Sequence, residues 1–266
     1  MSATPIPELD DPSTAPRLAL PSRANGAGAG WDWIAQGWKI FARAPLMWVI
    51  SIVVLFIAAV IINLVPFIGS LAFQLLQGVI AGGFMVACHS LSRGGDFELE
   101  HLMAGFKRNF TSLLLLGVFL VVGGLLIMLV LMMFVGATVV SVFMGGGNTD
   151  QAIAAIAASA TTMLLGALVA LALTIPMLAA YWFAPALVIL NDMKPVAALK
   201  ESFFGSFRNF VPFLVYGIIM TVLAVIAAIP FGLGMLVWIP LAVTSTYAAY
   251  RGIFTDPPAD VPAVTV

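Results

Sequence analysis

Charged residues divide this chain into long apolar stretches. Residues 44–92, 109–149, 151–191 and 209–250 contain no Asp, Glu, Lys or Arg. A membrane-crossing helix needs about 20 apolar residues. The first and last stretches each have room for two such helices. Val65-Pro66-Phe67-Ile68-Gly69 and Ile229-Pro230-Phe231-Gly232 supply the turns between them. The middle two are parted by Asp150, beside Gly145-Gly146-Gly147-Asn148-Thr149, and each reads as one long helix. The pattern predicts six spans, at 46–64, 67–91, 111–141, 153–190, 211–229 and 233–252. Spans three and four are longer than a hydrocarbon core of about 30 Å requires. Pro176 and Pro185 in span four are candidate kink or hinge sites, because each removes a helix hydrogen bond.

The polar segments between these stretches carry a second pattern. Trp31–Pro45, Phe97–Phe110 and Pro195–Phe210 each place apolar residues at helical spacing and end in basic ones. Arg43, Arg108 and Arg208 align at the ends of the three segments, and Arg-Asn-Phe recurs at 108–110 and 208–210. The expected fold is therefore all-α. It is a polytopic membrane protein of six transmembrane helices in three hairpins, each preceded by a cytoplasmic amphipathic elbow helix. Residues 31–254 form the membrane domain. Residues 1–30 and 255–266, rich in Pro and small residues, read as disordered cytoplasmic tails. The first 30 residues hold Glu8, Asp10 and Asp11 and no apolar core, so they do not read as a signal peptide.

Composition narrows the function classes. The chain of 266 residues is 62% hydrophobic and 9% charged, with mean hydropathy +1.11. A soluble domain is about a quarter charged, so a soluble domain is excluded. A net charge of −1 with 11 basic residues excludes a nucleic-acid binder. All 11 basic residues fall on one side of the six-span layout, and the positive-inside rule makes that side cytoplasmic.

Candidate chemistry is sparse. Apart from Arg251 at the end of span six, no span holds a charged residue, which argues against an ion-coupled pump. Asn63, Gln74, Gln77, His89 and Thr174 read as ordinary interhelical polar contacts. Cys88, His89, Asp96, Glu98, Glu100 and His101 match no closed metal site, and no metal or cofactor is expected. No nucleophile–base pair or phosphate loop is present. Gly78, Gly82 and Gly83 give span two a small-residue face suited to internal packing. Tyr181-Trp182-Phe183-Ala184-Pro185 could form a kinked, aromatic-lined groove, but an interfacial aromatic belt near the cytoplasmic surface explains it more cheaply.

Several stretches carry a family resemblance: Trp38-Lys39-Ile40-Phe41, Gly82 through Cys88, His101 through Lys107, Trp182 through Val188, and Ala198 through Pro212. Together they resemble a group of proteobacterial multi-pass inner-membrane proteins with no assigned activity. That group is more distantly similar to the membrane domain found beside some glycerophosphoryl diester phosphodiesterases. The resemblance implies a bacterial inner-membrane location. The phosphodiesterase catalytic domain has no counterpart in this chain.

The expectation is a non-enzymatic integral inner-membrane protein, multi-pass, with both termini cytoplasmic. It would engage membrane lipids or a membrane partner through a basic-aromatic cytoplasmic collar. Lys39, Arg43, Lys107, Arg108, Lys200 and Arg208 are the candidate headgroup contacts. The alternative is a transporter or channel for a neutral or lipophilic small solute, with Pro176 and Pro185 as hinges. Whether the chain forms a homo-oligomer or takes a protein partner is open at this stage.

Overall fold

The computed structural model describes residues 16–144 and 149–255. Those residues form helices and no strand apart from an isolated bridge between Leu18 and Thr255. The helices are α1 (Ala29–Phe41), α2 (Pro45–Asn63), α3 (Ile68–Ser92), α4 (Leu99–Leu102), α5 (Ala104–Lys107), α6 (Phe110–Met144), α7 (Thr149–Trp182), α8 (Ala184–Asn191), α9 (Pro195–Arg208), α10 (Phe210–Ala228) and α11 (Met235–Phe254). The Leu/Val/Ile/Ala runs set the helices, and Pro and Gly set many of their limits. Pro45, Pro185 and Pro195 sit in the first turns of α2, α8 and α9, where their missing N–H costs nothing. Gly94 turns the chain after α3 at φ +90°.

Each apolar segment expected to span is helical. Five helical stretches are long and apolar enough to cross a membrane: Pro45–Asn63, Ile68–Ser92, Phe110–Gly136, Ser159–Asn191 and Phe210–Ala228. The remaining one, α11, has the length but carries Thr244, Ser245, Thr246, Tyr247, Tyr250 and Arg251, so it falls outside that group. The span expected at 153–190 is not one helix. It breaks at Phe183, between α7 and α8. Pro176 lies inside the unbroken α7. The amphipathic helix expected over Phe97–Phe110 is two helices of four residues each, parted at Met103. The Gly145–Asn148 turn lies outside the described residues.

The helices pack as consecutive pairs, α2 with α3, α6 with α7 and α10 with α11. The short helices that lead each pair pack elsewhere. α4 and α5 lie on α3, α9 lies on α7 and α8, and α1 lies on α11. Each leader therefore rests on the preceding pair, and the first rests on the last, which closes the arrangement into a ring of three. Close approach needs small residues. A Cβ on Gly78 would sit 2.6 Å from the Leu113 carbonyl of α6, so this face of α3 serves internal packing. The largest buried side chains, including Trp48, Phe183, Tyr247, Tyr250 and Phe254, gather at the leader end. The opposite ends of α2–α3 and α10–α11 turn alike. Phe67 and Phe231 both take positive φ (63° and 53°), and both are almost fully exposed.

Residues 16–28 correct the expectation of a disordered tail reaching residue 30. They form a strap across the leader end. The Ala19 N–H donates to the Phe254 carbonyl at 2.7 Å, and the Arg23 N–H to the Ile253 carbonyl at 2.8 Å. Residues 1–15 and 256–266, the rest of the expected tails, lie outside the described residues.

Candidate functional site

The three aligned arginines are the clearest departure from what composition suggests. Arg43 and Arg108 each reach back to the chain that leaves their own helix pair, and Arg208 reaches the strap that pairs with the end of its own. The Arg43 guanidinium donates to the Leu91 carbonyl at the end of α3. Arg108 donates to Asp192 Oδ2 at 2.6 Å, just past α8. Arg208 donates to the carbonyl and hydroxyl of Ser22 at 3.1 and 3.2 Å. Ser22 belongs to the strap, which pairs with the end of α11. The asparagines of the Arg-Asn-Phe repeats join in. Asn109 Nδ2 donates to the Val188 carbonyl at 3.0 Å and to Asp192 Oδ1 at 2.8 Å. Asn209 Nδ2 donates to the Arg23 carbonyl at 2.7 Å, and its Oδ1 accepts from the Asn25 backbone N–H at 2.8 Å.

Lys107 pairs with Glu100, which holds the Glu100 carboxyl below its ordinary range. Burial alone would raise the pKa of Asp192. The hydrogen bonds from Arg108 and Asn109 and the Arg108 charge more than offset it, so its carboxyl also lies below the ordinary range. Four of the six candidate headgroup cations are thus engaged within the fold. Lys39 and Lys200 stand exposed. Around them the leader helices expose Trp31, Trp38, Phe106, Phe204 and Phe207.

The break before Pro185 has a specific construction. In a continuous helix the Phe183 N–H would donate to the Ala179 carbonyl. Here Phe183 N–H donates to Ser202 Oγ at 3.0 Å, and Ser202 Oγ donates to the Ala179 carbonyl at 2.7 Å. A fully buried hydroxyl from α9 is inserted into the helix ladder. Ser206 Oγ donates to the same carbonyl at 3.2 Å.

That break shapes a cavity of about 740 Å³, open on one side, between α3, α7, α8, α10 and α11. α10 packs on α1 and α11 and has no comparable packing with α3 or α7, and the cavity fills the gap. Met85, Tyr181, Trp182, Pro185, Tyr216 and Trp238 form much of its wall. The Trp182 and Phe213 rings meet edge to face at 6.1 Å at the leader end. The Tyr216 hydroxyl lies 3.0 Å from Ser245 Oγ. Among the described residues the Tyr181 hydroxyl is buried with no hydrogen-bond partner. Tyr181, Trp182 and Pro185 thus line a groove, the alternative to the interfacial belt that the sequence favours.

The other polar candidates do not line the cavity. Asn63 Nδ2 donates to Ala59 O and Thr174 Oγ1 to Ala170 O, each within its own helix, and Gln74 and Gln77 are exposed. His89 Nδ1 lies 3.0 Å from the Tyr247 hydroxyl, which also meets Ser92 Oγ at 3.0 Å. Among the described residues no three His, Cys, Asp or Glu side chains converge as a metal site would need. Sequence reasoning missed Ser202, Asp192 and the strap. The repeated Asn of Arg-Asn-Phe was the one signal that pointed at the clasps.

Comparison with known proteins gives one informative match. The chain is 32% identical over 249 residues to a Burkholderia thailandensis protein described as a "probable inner membrane protein", covering 86% of this chain and 92% of that one. No family model matches the chain. No solved structure matches it.

Proposed function

The chain belongs to the family of that Burkholderia thailandensis protein, and from this premise we propose that it is a multi-pass inner-membrane protein that engages membrane lipid and catalyses no reaction. In this reading α11 completes a set of six spans in three hairpins, and both termini face the cytoplasm. All described basic residues lie at or near the leader end, which supports that orientation through the positive-inside rule.

One observation carries the reading. The leader helices expose aromatic rings beside Lys39 and Lys200, while the neighbouring arginines are occupied in holding the fold. Amphipathic helices of this kind lie in the headgroup region, and each nearby Lys contributes about 1 kcal/mol toward anionic lipid. The test uses the purified protein in nanodiscs containing phosphatidylglycerol. Changing Lys39 and Lys200 together to Gln should cut retained phosphatidylglycerol by roughly thirtyfold at unchanged melting temperature. Unchanged retention in a folded double variant overturns the collar.

The cavity favours a second reading, passage of a neutral lipophilic solute. That reading needs the α7–α8 break to move. The Ser202 insertion ties the break to α9, which weighs against a free hinge at Pro185.

A further inference from the structure

We propose that the cavity between α3, α7, α8, α10 and α11 binds one long acyl chain drawn sideways from the bilayer. The inference deepens the lipid-engaging reading and rests on the helices lying in a membrane, but it concerns a different surface from the collar.

Four observations define the occupant. The first is length. Along α10 the wall runs from Phe213 to Ala224. At about 1.5 Å per residue that is about 16 Å, half of a hydrocarbon core of about 30 Å. The site thus spans one leaflet's depth of tail. The second is size. The 740 Å³ cavity falls within the roughly 300–1,000 Å³ of small-ligand sites. The third is chemistry. The wall is almost wholly apolar, so it offers a polar solute too few partners to replace its water. Hydroxyls of Tyr181, Tyr216 and Thr246 sit toward the leader end, where the polar end of an inner-leaflet lipid lies. The fourth is access. The cavity is open on one side, and α10 stands away from α3 and α7 at the depth of the spans.

The same chain chemistry has two sources, a phospholipid tail or a free fatty acid. The experiment uses the full chain in nanodiscs with two probes, palmitate bearing a diazirine and phosphatidylethanolamine bearing a diazirine in one tail. Photolabels should concentrate on the Tyr181–Ala186 and Phe213–Ala224 peptides and should be displaced by excess unlabelled lipid of the same kind. Gly217 lines the cavity, and a Cβ added there meets no atom within 4 Å. Gly217→Phe should lower labelling by roughly tenfold. Ile218→Phe, one residue on and exposed, should leave it unchanged. If Gly217→Phe does not fold, Ala242→Leu on the α11 wall gives the same reading. Labelling with phosphatidylethanolamine assigns a phospholipid, and labelling with palmitate alone assigns a fatty acid. Labels spread over all lipid-facing helices, or not displaced by unlabelled lipid, overturn the site. Loss of labelling in the Lys39/Lys200 variant also counts against it, because the collar and the cavity are then one site.

Discussion

Ser202 joins two backbone groups that the break before Pro185 sets apart. Removing its hydroxyl leaves the Phe183 N–H buried without an acceptor, which costs about 1–3 kcal/mol. Ser202→Ala should therefore lower the melting temperature clearly while the protein stays in the membrane, and an unchanged melt would mean that Ser206 substitutes fully. Asp192 gives a pH signature. Its folded pKa lies below the unfolded one, so its contribution is complete above the unfolded value, about 3.9, and is lost as pH falls through the folded value. Asp192→Asn should be less stable than the parent at pH 6, and the difference should vanish under acid. A difference constant from pH 6 to strong acid would show that the Arg108 clasp does not depend on ionised Asp192. Neither residue was legible as such. Ser202 reads as one polar position on an amphipathic segment, and Asp192 as part of a loop. Each acts through a partner distant in sequence, Ala179 for one and Arg108 for the other.

At the scale of elements, the leader helices are held by close packing as much as by polar contacts. Gly105 of α5 lies where a Cβ would collide with the Val79 carbonyl of α3, a backbone atom that cannot move aside. Gly217 faces open space. The same substitution should therefore act in opposite directions. Gly217→Ala should stabilise by up to about 1 kcal/mol through helix propensity, whereas Gly105→Ala should destabilise, both read from thermal melts in one detergent. Equal effects would remove the packing argument. The long helices were legible because their apolar runs exceed 18 residues and end at Pro and Gly. The division of the second leader at Met103 was not, because a one-residue interruption leaves the apolar spacing of Leu99, Leu102 and Phe106 unchanged. The break at Phe183 was half legible. Pro185 marked the place, but the hydroxyl that stabilises it comes from another helix.

For the whole molecule, the ring of three explains why a repeat visible in short motifs becomes a single core. Each leader covers the pair before it, so no pair is complete alone. The orientation can be tested with thiols, since Cys88 is the only cysteine and is fully buried. An impermeant reagent should label Val65→Cys from the periplasm and Ala197→Cys only from the cytoplasm, both positions being exposed. Reversed labelling would invert the topology. The sequence aligned Arg43, Arg108 and Arg208 at the ends of the three polar segments. Their service as clasps was hidden, because a charge pattern reports where a cation lies and not which carbonyl or carboxylate it meets.

The strap has a consequence for biosynthesis. Residues 18–25 are translated before every helix they fasten, yet their docking place is built from Asn209, Gly252, Ile253 and Phe254. The earliest segment of this core to be made is therefore among the last to find its position. Until α11 has left the ribosome, Ala19 and Arg23 have no carbonyls to meet, and the leader end stays unclasped. Nascent chains arrested before residue 250 should leave the strap open to protease, and release of the full chain should protect it.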